Sequence, residues 1–293
     1  MHKKTSIEEG KLDFIIEKNV FFSVARCAQE SLEDIDLDVC LEKVKGKADI
    51  FTFRDRVPKK TVNVTFNRYK VLVEQDNIAA IRLTTYDYWW TNQIGKKTRN
   101  MVRKAIKMGV QVRILPLSED LVTAATKIYN ETPIRQGRRF IHYGEKFNDI
   151  KKLLEVKKYP NDFICAFYRN ELIGFIHLCY SKDVAVIRQI LSMQKHWNKA
   201  PNNITISKAV EMACQKGLKY LVYGELSQSS LSDFKRRNGF QEILLRRYYI
   251  PLTFKGRIVL TFNLQRKARR ILPNWIKKPL SLIRRFTFTS RCF

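Results

Sequence analysis

The chain has 293 residues, 45% of them hydrophobic, which is enough for one large domain, or one domain and a half, around a real core. Its formal net charge is +27, from 55 Lys and Arg against 28 Asp and Glu, a surplus that favours anionic partners such as nucleic acid, phosphorylated co-substrates or an anionic membrane face. Six cysteines without a C-x-x-C pair, four scattered histidines and no apolar run of spanning length argue against a disulfide scaffold, a metal centre and a transmembrane helix, and suggest a reduced, cytoplasmic protein.

The start, MHKKTSIEEGKLDF, has no hydrophobic stretch of signal-peptide type. Residues 12–22 and 26–42 fit short helices or strands equally well. Ala48–Arg56 reads as a strand, and Thr61–Thr85 as two strands turning at Gln75-Asp76-Asn77. After the aromatic cluster Tyr86–Trp90, Thr91–Met108 is predicted to be a basic helix that stops at Gly109. It carries Lys96, Lys97, Arg99, Arg103, Lys104 and Lys107, and Arg99, Arg103 and Lys107 share a face at i, i+4, i+8.

Val110–Leu115 reads as a strand, and Ser118 as the cap of a helix over Glu119–Asn130 with acidic residues in its first turn. Thr132–Gly144 is an arginine- and glycine-bearing loop, followed by a helix at Phe147–Lys158. Strands follow at Phe163–Tyr168, Leu172–Tyr180 and Val184–Leu191, with turns at Arg169-Asn170 and Ser181-Lys182-Asp183. Asn203–Lys216 is an amphipathic helix ending at Gly217, Tyr220–Leu226 a strand, Ser230–Asn238 a short helix and Phe240–Pro251 a last strand.

From Val110 onward, this order of strand, two helices, three antiparallel strands, helix, strand, helix, strand resembles the GNAT (GCN5-related N-acetyltransferase) superfamily. The Leu191–Phe240 block, ending in Asn238-Gly239-Phe240, carries most of the resemblance. It implies an α+β fold: a GNAT-type mixed, mostly antiparallel central sheet flanked by helices, with an N-terminal α/β subdomain and a basic C-terminal tail. The corresponding divisions are 1–109, which could be a degenerate GNAT-like half, 110–253 as the acyltransferase domain, and 254–293 as the tail. The implied activity is transfer of an acyl group, with acetyl-CoA as co-substrate and no metal, to an amine or hydroxyl of a small-molecule, sugar, nucleotide-sugar or peptide acceptor.

Two departures qualify the donor. The superfamily's pyrophosphate loop reads Q/R-x-x-G-x-G/A, and the aligned residues here run from Asn198 and Lys199 through Ala200, Pro201 and Asn202 to Asn203, without either glycine. Glycines let backbone approach phosphate closely, so ordinary coenzyme A binding is in question, although a helix start at Asn203 would still offer N–H groups and a positive dipole end. Where many members carry a tyrosine acid, this chain has Phe234-Lys235. That pair, and the run Lys97–Val112, resemble Fem-like proteins, which transfer amino acids from aminoacyl-tRNA onto cell-wall precursors. tRNA is therefore the alternative donor. A nucleic-acid-binding protein that has lost catalysis is the reading outside enzymes.

Acyl transfer to an amine requires proton removal, stabilisation of the oxyanion and protonation of the leaving group. The resemblance assigns the oxyanion donor to backbone of the fourth strand leading through Leu191 into Ser192 and Met193. Glu225, at the end of the fifth strand, has the position of a base, but a free carboxyl near 4.3 must be raised or act through water. His177, starting near 6.5, has the better chemistry. A solvated strand-end carboxylate and a hydrogen-bonded sheet histidine are the competing readings. Lowering Lys235 from about 10.4 to about 7 would cost roughly 4–5 kcal/mol, so it is expected to act as a cation facing a carbonyl, a phosphate or a tRNA end. Arg135, Arg138, His142 and Tyr143, in the loop where GNATs place their acceptor, suit an anionic or sugar-bearing group, together with Gln189.

Residues 255–293 hold basic residues and no acidic one, interspersed with Trp275, Phe286 and many Leu and Ile. Pro273 and Pro279 exclude one long helix. The tail is expected to dock on an anionic membrane, making the protein peripheral at the inner face.

Overall fold

A computed structural model describes residues 3–9, 12–18, 20–28, 30–31, 36–57, 71–135 and 137–265. The expectations for residues 61–70 and 266–293, including most of the membrane-docking tail, lie outside the described residues. The first part of the chain supplies strands β1 (Lys3–Glu9), β2 (Leu12–Lys18), β3 (Ser23–Cys27), β4 (Ile50–Arg54) and β5 (Leu72–Arg82). The second supplies β6 (Gln111–Leu115), the hairpin β7 (Ile134–Arg135) and β8 (Arg138–Arg139), and then β9 (Asn161–Tyr168), β10 (Glu171–Tyr180), β11 (Val184–Ser192), β12 (Tyr220–Val222) and β13 (Gln241–Pro251). All but β7 and β8 join one 11-stranded sheet in the order β1-β2-β3-β4-β13-β5-β12-β11-β10-β9-β6.

Two neighbouring pairs, β3 with β4 and β11 with β12, are parallel, and the other pairs are antiparallel. The architecture is the α+β, GNAT-type one, with a large and mostly antiparallel sheet, and the parallel β11–β12 pair stands where the resemblance requires it. At the centre the sheet exchanges strands. β5, early in the chain, closes on β12, while β13, late in the chain, closes on β4 through Arg247–Pro251 against Ile50–Arg54. β5 and β13 pair with each other over nine residues.

Helices cover both faces: α1 (Leu37–Val44), α2 (Tyr86–Tyr88), α3 (Lys96–Lys107), α4 (Glu119–Tyr129), α5 (Phe147–Leu154), α6 (Pro201–Gln215), α7 (Ser230–Arg237) and α8 (Phe254–Thr261). Strand alternation decides which side chain meets which helix. Ile176 and Leu178 of β10 pack in one cluster with Ile206, Ala209 and Val210 of α6, whereas Phe163 and Phe175 pack with Leu121 and Ala125 of α4 and Ile150 of α5 on the other side. Cys27, Cys40, Cys165 and Cys179 are buried, and burial pushes the Cys165 thiol up to about 12.

Several predicted boundaries move, each for a local reason. Gln75-Asp76-Asn77 is no turn but the interior of β5. Its polar side chains find distant partners: Asp76 accepts from Arg247 at 2.8 Å and Asn77 Oδ1 from the Leu226 amide at 2.9 Å. The basic helix starts at Lys96, because Trp89–Gln93 forms a π-helical turn. The Arg99 guanidinium caps that turn, donating to the carbonyls of Ile94 at 2.6 Å and Trp90 at 3.0 Å. α6 starts at Pro201, a residue preorganised for the first helical position. Ser118 caps α4 as predicted, accepting from the Leu121 amide at 3.2 Å.

Residues 254–261, the start of the expected tail, form α8 and pack on the sheet. The Thr253 hydroxyl caps the helix and donates to Asp49 Oδ1 at 2.9 Å. Asp49 Oδ2 also accepts from the Ser23 amide at 2.8 Å and hydroxyl at 2.9 Å. Burial alone would raise the Asp49 carboxyl, but these hydrogen bonds and nearby Lys255 outweigh it and hold it below its ordinary value. Gly256 lets the helix touch the Asp49 carbonyl, since a Cβ there would come within 2.1 Å of that oxygen.

Candidate functional site

The parallel pairing of β11 with β12 lasts only from Val184–Val186 to Tyr220–Val222. β11 continues to Ser192, while the chain after Val222 turns away and follows β5. The Tyr223 amide donates to the Ala79 carbonyl and the Ala79 amide to the Gly224 carbonyl, both at 2.8 Å. The sheet therefore opens a wedge between Ile187–Ser192 on one side and residues 223–226 on the other. The predicted strand Tyr220–Leu226 ends early because Gly224 adopts φ +57.

α7 brings Lys235 onto the second wall. Its Nζ donates to the Glu225 carbonyl at 2.8 Å and lies 4.3 Å from the centre of the Tyr223 ring. The side chain is buried, and burial lowers its pKa to about 8 against the opposing pull of Glu225. Glu225 itself is exposed beside it. Phe234 is half-buried against the α6-side core. At the end of α7, fully buried Asn238 accepts from Trp89 Nε1 through its carbonyl at 3.1 Å, and its side chain accepts from Asn203 Nδ2 at 3.2 Å. Gly239, at φ +90, makes room for the indole, because a Cβ would sit 2.9 Å from Trp89 Nε1.

His177 lies elsewhere. It is 1% exposed on the α4–α5 side of β10, stacked 4.3 Å from the Phe163 ring, with Nε2 3.2 Å from Asn161 Oδ1. Burial, reinforced by Arg188, lowers its pKa to about 3, so it is neutral at physiological pH and a weak base. Among the described residues no hydrogen bond or ion pair joins it to Glu225 or Lys235. Those two are brought together, and His177 is not.

The segment aligned with the pyrophosphate loop is closed. Gln194–Lys199 is a 3-10 turn, Ala200 takes φ +53, and α6 begins at Pro201, which has no N–H. The Asn203 amide is not free but donates to the Ala200 carbonyl at 3.1 Å. Leu191 is buried, and the Met193 amide donates to the Ile173 carbonyl at 2.9 Å. Ser192 Oγ accepts from Trp197 Nε1 at 3.2 Å. Exposed Asn198 accepts from Lys199, whose ammonium also stands 4.6 Å from the Tyr168 ring. Asn202 keeps a buried side-chain oxygen without a hydrogen-bond partner among the described residues. The residues present do not fit a coenzyme A pyrophosphate in the usual manner.

The acceptor-type loop closes on the opposite side of the sheet. Arg135 is its brace, donating to the Ser192 carbonyl at 2.8 Å and the Ile128 carbonyl at 2.5 Å, with Glu131 at 3.6 Å and the Phe140 ring at 5.0 Å. His142 Nδ1 is 2.9 Å from Glu145 Oε1, and its ring meets Tyr129 edge-on at 5.9 Å. Arg138 and Tyr143 are exposed.

Two side chains were missed by sequence reasoning. Tyr223 carries the Lys235 ammonium on its ring face. Tyr129 is fully buried at the end of α4, and among the described residues its hydroxyl has no partner within hydrogen-bonding geometry. Burial drives that phenol upward, and the side chain of half-buried Gln189 on β11 opposes the shift only in part. Both tyrosines sit in apolar runs, where the sequence offers no sign of a polar task. Among the described residues no group of His, Cys, Asp and Glu could hold a metal ion, and no helix is long and apolar enough to cross a membrane.

No known protein family and no curated protein matches the sequence. Solved structures do match the fold. The C-terminal domain of a protein assigned as a lysylphosphatidylglycerol synthetase from Agrobacterium fabrum superposes with a TM-score of 0.59 at 12% identity, covering 88% of this chain and 87% of that one. L-PGS from Bacillus licheniformis gives 0.57 at 12% identity, covering 91% and 90%. FemX gives 0.59 at 11% identity, covering 89% and 90%. This chain thus shares the fold of those proteins along nearly its whole length.

Proposed function

We propose that the chain is an acyltransferase of the aminoacyl-transferring kind, moving an aminoacyl group from its ester on tRNA to an amine or hydroxyl acceptor. The observation that carries this reading is the buried Lys235 ammonium on the wall of the wedge, combined with an α6 start without glycine, where Pro201 has no N–H and the Asn203 amide is already bonded to the Ala200 carbonyl. The fold shared with FemX and with the domain assigned as a lysylphosphatidylglycerol synthetase, a maker of a lysylated lipid by name, supports the same direction. Exposed Lys96 and Lys97 on α3 and Arg236 and Arg237 on α7 form a basic rim suited to a polyanion. The Thr98 hydroxyl, bonded to the Arg237 carbonyl at 2.8 Å, ties the two helices together.

In this reading the acceptor nitrogen or oxygen attacks the ester carbonyl carbon and the bond to the ribose oxygen breaks. The proton lost by the acceptor ends on that ribose oxygen. Lys235, still mostly protonated at pH 7, offsets charge on the carbonyl or leaving oxygen, and Glu225 takes the acceptor's proton and passes it to the ribose oxygen. Tyr129, Gln189, His142 and Tyr143 face the acceptor, and Arg135 and Glu131 hold their loop. His177 supports the sheet. The pairing of β3 with β4 repeats that of β11 with β12, which supports reading 1–109 as a second, degenerate GNAT-like half.

The test supplies the purified chain with labelled aminoacyl-tRNA or labelled acetyl-CoA, alongside mixed amine, sugar and lipid acceptors. Transfer or discharge of the aminoacyl group, lost on Lys235→Met, is expected. Turnover of acetyl-CoA alone would make coenzyme A the donor, and tRNA binding without discharge would favour a non-catalytic nucleic-acid-binding protein.

A further inference from the structure

α8 is amphipathic in an unusual sense: both of its faces are apolar. The inner face, Gly256, Val259 and Leu260, packs on Phe22 and Ile50. The outer face presents Phe254, Ile258 and Phe262 at i, i+4, i+8, with Phe254 76% and Phe262 69% exposed. Beside it the turn between β2 and β3 presents Val20 and Phe21, the latter 74% exposed. The two elements are held together. Phe22, next in the chain, is in the cluster under α8, and Asp49 binds both Ser23 at the end of the turn and Thr253 at the start of the helix.

Large aromatic side chains held this far into solvent on a fixed scaffold mark a contact surface. The charge around them selects the partner. Lys18, Lys255 and Arg257 are exposed next to the apolar stripe, and the chain then runs from residue 265 into a segment with basic residues and no acidic ones. An apolar stripe beside the exposed cations Lys18, Lys255 and Arg257 matches a surface with an anionic face above a hydrocarbon interior. A second copy of this chain would bring the same positive charges against themselves.

We propose that the outer face of α8 and the Val20–Phe21 turn form a docking surface for an anionic lipid bilayer, inserting Phe21, Phe254 and Phe262 below the headgroups while Lys18, Lys255 and Arg257 meet the phosphates. The surface is built by the folded body of the protein. It adds to whatever the segment after residue 265 contributes, and it does not rest on the transfer reaction.

The experiment is co-sedimentation of the full chain with vesicles of phosphatidylcholine alone or with added phosphatidylglycerol. The chain is compared with Phe254→Ser, Ile258→Ser and Phe262→Ser combined, and with Phe21→Trp. Wild type is expected to pellet with the anionic vesicles. The triple variant should partition at least about tenfold less despite its intact basic segment, because each lost aromatic or branched contact weakens insertion. Its thermal midpoint should be unchanged, since the three side chains are exposed. In the Phe21→Trp variant, the emission gained over wild type should be quenched by brominated lipid. No pelleting of wild type, equal pelleting of the triple variant with the Phe21→Trp emission unquenched, or a lipid-free dimer abolished by the triple substitution would each overturn the proposal. If the triple variant fails to fold, quenching of the indole introduced at position 21 decides alone.

Discussion

The Lys235 ammonium rests 4.3 Å from the centre of the Tyr223 ring, on the face where a π-system attracts a cation. Burial lowers the lysine and the charge of Glu225 compensates only part of it, which leaves the lysine near 8 rather than 10.5. The folded state therefore binds its proton less tightly than the unfolded chain. Below about pH 8 the strain is fully present, and stability rises as pH climbs from about 8 toward 10.5. Lys235→Met should remove this rise and stabilise the protein at pH 7 by up to about 3 kcal/mol, while lowering turnover at least 100-fold. Denaturant unfolding from pH 7 to 10.5, beside a transfer assay, reads both. Activity retained in the variant would remove Lys235 from the chemistry.

His177 should act in the opposite pH range. Its folded value near 3 lies below the unfolded 6.5, so the neutral ring stabilises the fold at pH 7, and that stabilisation is lost as pH falls from 6.5 toward 3. His177→Gln should flatten the acid limb of the stability profile by several kcal/mol between pH 6.5 and 3 while leaving turnover at pH 7.5 within about threefold. A collapse of turnover in a folded His177→Gln protein would return this residue to the list of bases.

Tyr129→Phe removes a hydroxyl that is buried and, among the described residues, unpartnered. Leaving such a group unsatisfied costs about 1–3 kcal/mol, so the variant should be as stable as wild type or more so. If that hydroxyl waits for the acceptor, KM for the acceptor should rise while kcat changes little. Thermal unfolding and steady-state kinetics in parallel separate the two effects.

Arg247 holds the exchanged strand in place. It makes paired hydrogen bonds to Glu30 at 3.0 and 2.9 Å and a third to Asp76 at 2.8 Å, with Arg54 completing a largely buried set of charges. Burial alone would lower its pKa, but Glu30 and Asp76 outweigh that and keep it protonated. Glu30→Ala should cost about 3 kcal/mol, the low end for breaking a buried pair, because Asp76 still faces the guanidinium. Pairing Glu30→Leu with Arg247→Met should recover much of that loss, which denaturant titration would reveal.

The GNAT-type element order was legible because its signals are local: Ser118 before an acidic first turn, Gly217 after a helix, and Arg169-Asn170, both at positive φ, between alternating strands. The misreadings came where the deciding partner is far along the chain. Asp76 and Asn77 look like a turn until Arg247 and Leu226 are set beside them. His177 alternates with Phe175 as expected, but alternation does not say which of two covered faces a residue joins. Lys235 and Glu225 were found as a pair because both lie in one short strand–helix connection, whereas Tyr129 gave no polar signature within its helix.

The exchange of β5 and β13 also constrains how the chain can be made. β4 finds its second neighbour only in Arg247–Pro251, close to the end of the described chain. At roughly 5–20 residues per second of synthesis, a nascent β4 would wait roughly 10–40 s with one edge open. An open edge is a template for foreign strands. Residues 1–109 made alone would keep that edge permanently, with β5 lacking both β12 and β13. The protein is thus expected to complete its sheet late in synthesis, once β13 has been made, and to depend on chaperones more than a chain whose halves close independently.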